Sequence, residues 1–220
     1  MNGERALVVM ARYPEPGAVK TRLAATHGDI AATELHRACI ADLDARFGSG
    51  PRRLVWAYYP PDRAFADIVR APAYCMAQEG TDLGARMHAC FRRLVDAGFV
   101  SVVMIGADVP HVRTAWIDEA EARLNDVDVV LGPSVDGGYF LVAMRQPHDV
   151  FSDVMMSTPH VLSDTQRVIA AAGLCVHLLP PSFDVDQAAD LDRLRTELQA
   201  PELAGKLPAT AAWLSAQNIR

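Results

Sequence analysis

The chain has no apolar run approaching the ~18 residues that a membrane-spanning helix requires, and no charged amino-terminal region leading into a long apolar stretch. It is therefore expected to be soluble, unexported and cytoplasmic, with no membrane span. Basic residues are in deficit, since 21 Lys and Arg face 27 Asp and Glu for a formal charge of −6. That balance argues against a general nucleic-acid or anionic-membrane surface, so any anion site must be local. Cysteine is scarce: Cys39, Cys75, Cys90 and Cys175 lie far apart without C-x-x-C spacing. Three of them sit inside apolar patterns, which reads as buried free thiols and suits a reducing compartment. Internal repeats, low-complexity tracts and long polar linkers are also missing. Ser157 lacks the G-x-S-x-G elbow, which disfavours covalent hydrolase chemistry.

What is present is 220 residues at 50% hydrophobic content, ample for one sizeable core and marginal for two. One domain over residues 1–220 is expected. Short apolar runs alternate with longer segments of helical period, the pattern of βαβ units and a mostly parallel α/β sheet. Asp29 to Phe47 carries Leu35, Cys39, Leu43 and Phe47 at four-residue steps, and Gly48 and Gly50 then stop the helix. Besides the apolar run that begins at Ala6, strands are expected at Arg53–Tyr58, Ala73–Gln78, Val100–Gly106, Asp128–Pro133 and Cys175–Leu179. Trp116, Ile117, Ala120 and Leu124 follow Thr114, read as an N-cap, and Ala188, Leu191, Leu194 and Leu198 mark a later helix. Gly137 to Val142 is strand-like but follows the preceding strand after a short loop, which suggests a small antiparallel insertion. From about residue 201 a helical extension is expected. Its Trp213 and Leu214 need cover, which a docked terminal helix or a homodimer contact would each supply.

Chemistry concentrates at the ends of the apolar runs. Ala6 to Leu23 reads as a buried strand, a loop punctuated by Pro14, Pro16 and Gly17 in place of the glycine-rich G-x-G pattern, and then Lys20 and Arg22 where a helix begins. Open α/β sheets bind ligands at such an edge, and two cations beside a helix start suit a polyphosphate. Lys20 is expected at an exposed loop edge, with little weight in folding. Asp108 falls just past the run Val100 to Gly106. There a carboxylate is poorly placed for packing and well placed for a Mg²⁺ that bridges phosphate oxygens, although a turn cap ahead of Pro110 explains it equally. Asp136 with Gly137 and Gly138 forms either a ligand-approach loop or a hairpin turn. Asp184 and Asp186 precede a helix that they could simply cap. Gly80, Thr81 and Asp82 lead into another helix; the Thr81 hydroxyl, the backbone amides and Arg86 offer contacts to a base, ribose or phosphate, or else cap a surface helix.

Taken together, RYPEPGAVKTRL, QEGTDLGARM, IGADVPHV, LGPSVDGGYFLV, the MST at Met156–Thr158 and DVDQAADL resemble, over about residues 6–195, a family of bacterial proteins assigned as glycosyltransferases. That family is associated with radical-SAM/selenodomain proteins and arsenosugar biosynthesis. It lies in the nucleotide-diphospho-sugar transferase superfamily, with the GT-A fold, and is similar at lower resolution to 2-phospholactate guanylyltransferase and to molybdopterin-guanine dinucleotide synthase. The resemblance implies that Lys20 and Arg22, on the loop carrying Arg12, Pro14 and Gly17, hold the donor's polyphosphate, with Gly80, Thr81, Asp82 and Leu83 in the base pocket. It implies Mg²⁺ or Mn²⁺ on Asp108 with Asp186 or Asp184 as a second carboxylate, and an acceptor facing Asp136, Gly137, Gly138 and Ser157. The chain departs from the family pattern at Met156, where Trp is expected, and at Gln187, where Thr is expected.

Three functions follow from this resemblance and the residues. The first is glycosyl transfer from a nucleotide-diphospho-sugar to a small acceptor, with Asp108 and Lys20 serving the leaving diphosphate and Asp136 deprotonating the acceptor hydroxyl. The second is nucleotidyl transfer from a nucleoside triphosphate to a phosphate or carboxylate of a small acid, with release of pyrophosphate. The third is a nucleotide-binding regulatory subunit without turnover. All three require Lys20 and Asp108 to meet in one cleft.

Overall fold

The computed structural model describes residues 3–70 and 73–217. Seven strands, β1 (Arg5–Arg12), β2 (Arg53–Tyr59), β3 (Tyr74–Ala77), β4 (Ser101–Gly106), β5 (Val129–Pro133), β6 (Tyr139–Met144) and β7 (Val176–Leu178), form one sheet in the order β3-β2-β1-β4-β6-β5-β7. Neighbours pair in parallel except β6, which runs antiparallel to both β4 and β5. The α/β class with a mostly parallel sheet is as expected. The antiparallel strand is internal to the sheet: after β5 a short turn at residues 134–138 sends the chain back along its neighbour, and the returning strand fills the gap beside β4. Its start therefore lies at the same edge as the carboxyl ends of the other strands.

Helices α1 (Thr21–His27), α2 (Asp29–Phe47), α3 (Leu83–Asp96), α4 (Thr114–Arg123), α5 (Val161–Ala171), α6 (Ala188–Glu197) and α7 (Pro208–Gln217) cover the sheet. Alternation along each strand sorts the core. Leu7, Val9, Trp56, Val103 and Ile105 face α2 and α4, whereas Ala6, Val8, Val55, Val102 and Met104 face α3 and α5. Both faces are apolar because both are covered, which is why these strands read as unbroken hydrophobic runs. Helix α2 spans the predicted residues, and its stripe of Leu35, Cys39 and Leu43 is fully buried. Two details differ from expectation. Arg113, in extended conformation, is the N-cap of α4 and Thr114 is its first helical residue. Of the cysteines, all free, Cys39 and Cys90 are buried, Cys75 is half-buried and Cys175 is exposed. Among the described residues no helix is long and apolar enough to cross a membrane.

The terminal segment docks on its own chain. Trp213 and Leu214 pack with Leu35 and Cys39 of α2 and with Leu191 and Leu194 of α6. The first turn of α7 is capped from a distance, because the buried Asp42 carboxylate accepts the N–H groups of Ala209 at 3.0 Å and Thr210 at 2.8 Å. Asp42→Ala would leave two helix-start donors without partners. It is expected to lower unfolding free energy by about 1–3 kcal/mol, read as a reduced urea midpoint, and to accelerate proteolysis near residue 205 before the rest of the chain is cut.

Candidate functional site

The carboxyl ends of β1, β2 and β4 and the start of β6 open on a cleft of about 970 Å³, at the upper end of the range for small-molecule sites. At its centre stands Lys20, one of two lysines among the 21 basic residues of the chain. Its ammonium donates to Asp108 Oδ1 and to the carbonyl of Val185, both at 2.6 Å. The side chain is 1% exposed, while that of Asp108 is 42% exposed and opens to the cleft. Lys20 is thus not the loosely held loop-edge residue expected from sequence. Its backbone is left-handed, with φ 46° and ψ 45°, a conformation that a non-glycine residue keeps only when its surroundings hold it there. Burial alone would lower the lysine pKa and raise that of Asp108. Mutual attraction outweighs both, so Lys20 titrates above its ordinary range and Asp108 well below the usual carboxylate range.

Three chain segments are tied together here. Helix α2 clamps the loop after β1, since His36 Nε2 lies 3.0 Å from the Arg12 carbonyl and Arg37 donates to the Pro14 carbonyl at 2.9 Å. His36 Nδ1 also faces Asp108 Oδ1 at 3.5 Å, so a histidine that spacing alone did not mark belongs to the site. The segment before α6 is joined to the loop after β4 by Val185 N–H donating to the Asp108 carbonyl at 2.9 Å. It is anchored in turn by the buried Asp190 carboxylate, which accepts the N–H groups of Asp186 and Gln187. Gln187 is the N-cap of α6, so neither Asp184 nor Asp186 is spent on capping.

These two aspartates have different fates. Asp186 pairs with Arg22 at 2.9 Å. Asp184 accepts from Ser134 Oγ at 2.7 Å. Its pKa is pushed up to about 6, first by burial and then by repulsion from Asp108 and Asp136, against the lowering effect of that hydrogen bond. Asp136 bends its own loop, accepting the Gly138 N–H at 2.9 Å. Gly137, at φ +91°, is required there, because a Cβ would meet the Pro159 carbonyl at 2.0 Å. On the opposite wall Arg86 lies 3.8 Å above the Tyr59 ring and Arg12 5.9 Å from it. Gln78 donates to the Ala57 carbonyl at 2.8 Å beside them.

Of the predicted positions, Arg12, Lys20, Arg22, Leu83, Asp108, Asp136, Gly138, Ser157, Asp184 and Asp186 line the cleft. Pro14, Gly17, Gly80, Thr81, Asp82 and Gly137 do not; Asp82 is the N-cap of α3, accepting from Ala85 N–H at 2.9 Å. Helix α1 has seven residues, so the cations near it act through their side chains. His36 and Tyr59 join the lining without having been singled out, and Gln78, which opens the QEGTDLGARM segment but was given no role of its own, joins them, because only the fold carries α2 and the ends of β2 and β3 to this edge. Met156, where the family pattern expects Trp, lines the cleft as well.

Among the described residues no three His, Cys, Asp or Glu side chains are grouped tightly enough to hold a metal ion by themselves. The crowding that raises Asp184 is nonetheless an excess of negative charge beside Asp108. A hard divalent cation that takes one or two carboxylates and completes its shell with substrate oxygens and water fits such a corner.

The seven-stranded, mostly parallel sheet flanked by helices is the nucleotide-diphospho-sugar transferase fold. The chain aligns over 96% of its length, and 97% of the other, with a Desulfovibrio desulfuricans G20 structure provisionally described as a nucleotide-diphospho-sugar transferase, at 30% identity and a TM-score of 0.85. It belongs to the DUF2064 family, described as uncharacterized proteins conserved in bacteria, whose profile matches residues 40–158. Over an alignment of 142 positions, which covers 57% of this chain and 61% of the other, it is 32% identical to the 3-phospho-D-glycerate guanylyltransferase of Phenylobacterium zucineum (strain HLK1). The 4-diphosphocytidyl-2C-methyl-D-erythritol synthase of Anaerococcus prevotii DSM 20548 shares the fold at a TM-score of 0.57 and 11% identity, over 89% of this chain and 98% of that one.

Two measurements probe the electrostatics. Lys20→Met should lower unfolding free energy by about 1–3 kcal/mol, because it leaves the Val185 carbonyl and one Asp108 oxygen without their donor. Asp184→Asn should do the reverse. The folded-state pKa of Asp184, about 6, lies above its unfolded value, so the native state binds the extra proton and stability falls as pH rises from about 4 through about 6. The variant escapes that loss. Measured without divalent ions, its gain should be near zero at pH 4 and reach about 1–2 kcal/mol above pH 7, after discounting for partial exposure.

Proposed function

We propose that the protein transfers a nucleotidyl group from a nucleoside triphosphate to the phosphate of a small acceptor and releases pyrophosphate. The observation that carries this reading is the meeting of Lys20, Arg22, Asp108 and Asp184 at the cleft floor. Cations fixed by ion pairs and carboxylates left partly uncompensated suit displacement at phosphorus, where positioning and charge stabilisation do most of the catalysis. A phosphate acceptor is already ionised and needs no general base. That agrees with Asp136, the expected base, which spends one carboxylate oxygen on its own loop. The guanylyltransferase relative points the same way, and its named acceptor is a phosphorylated acid.

In this reading Arg12 and Arg22 hold the polyphosphate, and Lys20 fixes Asp108 and the loop after β1. Tyr59, Gln78 and Leu83 border the base. Asp108 and Asp184 would hold Mg²⁺ or Mn²⁺, whose chemistry when bound is to neutralise charge on the leaving pyrophosphate; Asp186 is committed to Arg22. Glycosyl transfer from a nucleotide sugar uses the same donor half and is favoured by the description of the 30%-identical structure.

One assay separates these readings. The protein is incubated with each nucleoside triphosphate, Mg²⁺ and a set of phosphorylated acceptors, and in parallel with nucleotide sugars. Pyrophosphate from the first set is expected, and kcat should fall at least about 100-fold in Asp108→Asn, the effect of removing one preorganised charge at the reacting centre. Nucleoside diphosphate from the sugars, with no pyrophosphate from any triphosphate, would establish glycosyl transfer instead. Binding without any product would leave a regulatory subunit.

A further inference from the structure

The cleft is electrically lopsided. Every Lys and Arg among its described lining residues, namely Arg12, Lys20, Arg22 and Arg86, comes from the end of β1, from the loop after it, from the start of α1 or from α3. The other wall runs from the turn after β5 to the start of α5. Among its described lining residues it presents Asp136, the hydroxyls of Ser157 and Thr158, the Met156 side chain and the Tyr139 ring, with Asp184 at its foot, and no Lys, Arg or His. Arg22 stands on the cation side, at the start of α1, where one of its guanidinium nitrogens pairs with Asp186.

From this wall, and resting on the nucleotidyl-transfer reading, we infer that the acceptor is a phosphomonoester carried on a neutral, polyhydroxylated body, a sugar phosphate in chemical class, and not a phosphorylated carboxylic acid. Its phosphate meets the cations at the cleft floor. Its body lies along the opposite wall, where carboxylate and hydroxyl oxygens accept and exchange hydrogen bonds with neutral hydroxyls. The Tyr139 ring and Met156 cover an apolar ring face. A carboxylate on that body would face Asp136 without a counter-ion, a like-charge contact that selects against it.

The reaction balances without a further reactant. An acceptor phosphate oxygen forms the bond to the α-phosphorus of the triphosphate, the bond from the α-phosphorus to the bridging oxygen breaks with its electron pair on that oxygen, and pyrophosphate leaves. The product is a nucleoside diphosphate esterified to the polyol.

The test compares hexose 1-phosphates and 3-phospho-D-glycerate as acceptors, with every triphosphate, by pyrophosphate release and product mass. The inference expects kcat/KM for a hexose phosphate to exceed that for 3-phospho-D-glycerate at least tenfold. Asp136→Asn keeps the turn, because its amide oxygen can still accept the Gly138 N–H. It should raise use of 3-phospho-D-glycerate relative to the hexose phosphate by about fivefold, the effect of one like charge at contact distance in a water-like medium. Turnover of 3-phospho-D-glycerate equal to or better than the hexose phosphates, or an unchanged ratio in the variant, overturns the inference and leaves nucleotidyl transfer standing. Absence of pyrophosphate with every pair, alongside nucleoside diphosphate release from nucleotide sugars, overturns both.

Discussion

The buried ammonium of Lys20, held between Asp108 and the Val185 carbonyl, is the contact on which the site depends. It connects the loop after β1, the loop after β4 and the segment before α6, which are 88 and 165 positions apart from Lys20. An unpaired charge could not remain at that depth, so the three segments assemble together or the lysine leaves. The pair also sets the electrostatics. With one Asp108 oxygen committed to Lys20 and the carboxylate open to the cleft, the floor offers a fixed anion beside fixed cations.

Around this contact the protein tolerates opposing interests. Lys20 is left-handed, Asp184 is ionised against its neighbours, and Ser157 also has a positive φ. Such strains gather where ligands bind because the cores below are rigid enough to impose them. Here the two faces of the sheet supply that rigidity, and α7, docked through Trp213 and capped by Asp42, holds the far side of α2. Helix α2 then transmits it to the cleft through His36 and Arg37. Among the described residues α7 contributes nothing to the lining, and it meets the site only through its packing on α2 and α6.

Legibility from sequence followed the range of the interactions. The strands at Arg53, Val100 and Asp128 and the helix from Asp29 to Phe47 were readable, because burial on both faces or a four-residue stripe is a local pattern. Lys20, Asp108 and Asp184 stood out as chemically awkward residues at strand ends. Less readable was what each would do. Whether Asp82 caps a helix or Asp184 does depends on one hydrogen bond, and their motifs look alike. His36 and Tyr59 were silent because one resembles any helical histidine and the other any strand aromatic.

By itself the amino-acid order determined the α/β class, the helix α2, the absence of a membrane-spanning run and the set of charged residues available at strand ends, since each follows from composition or short-range period. Tertiary structure alone decided that the antiparallel strand lies inside the sheet, that Lys20 is buried on Asp108, that Asp186 pairs with Arg22 while Asp184 does not, and that the wall from the turn after β5 to the start of α5 brings Asp136 and no cation to the cleft. Those outcomes turn on distances between groups remote in the chain, and Coulomb and hydrogen-bond energies depend on separation in space, which residue order does not contain.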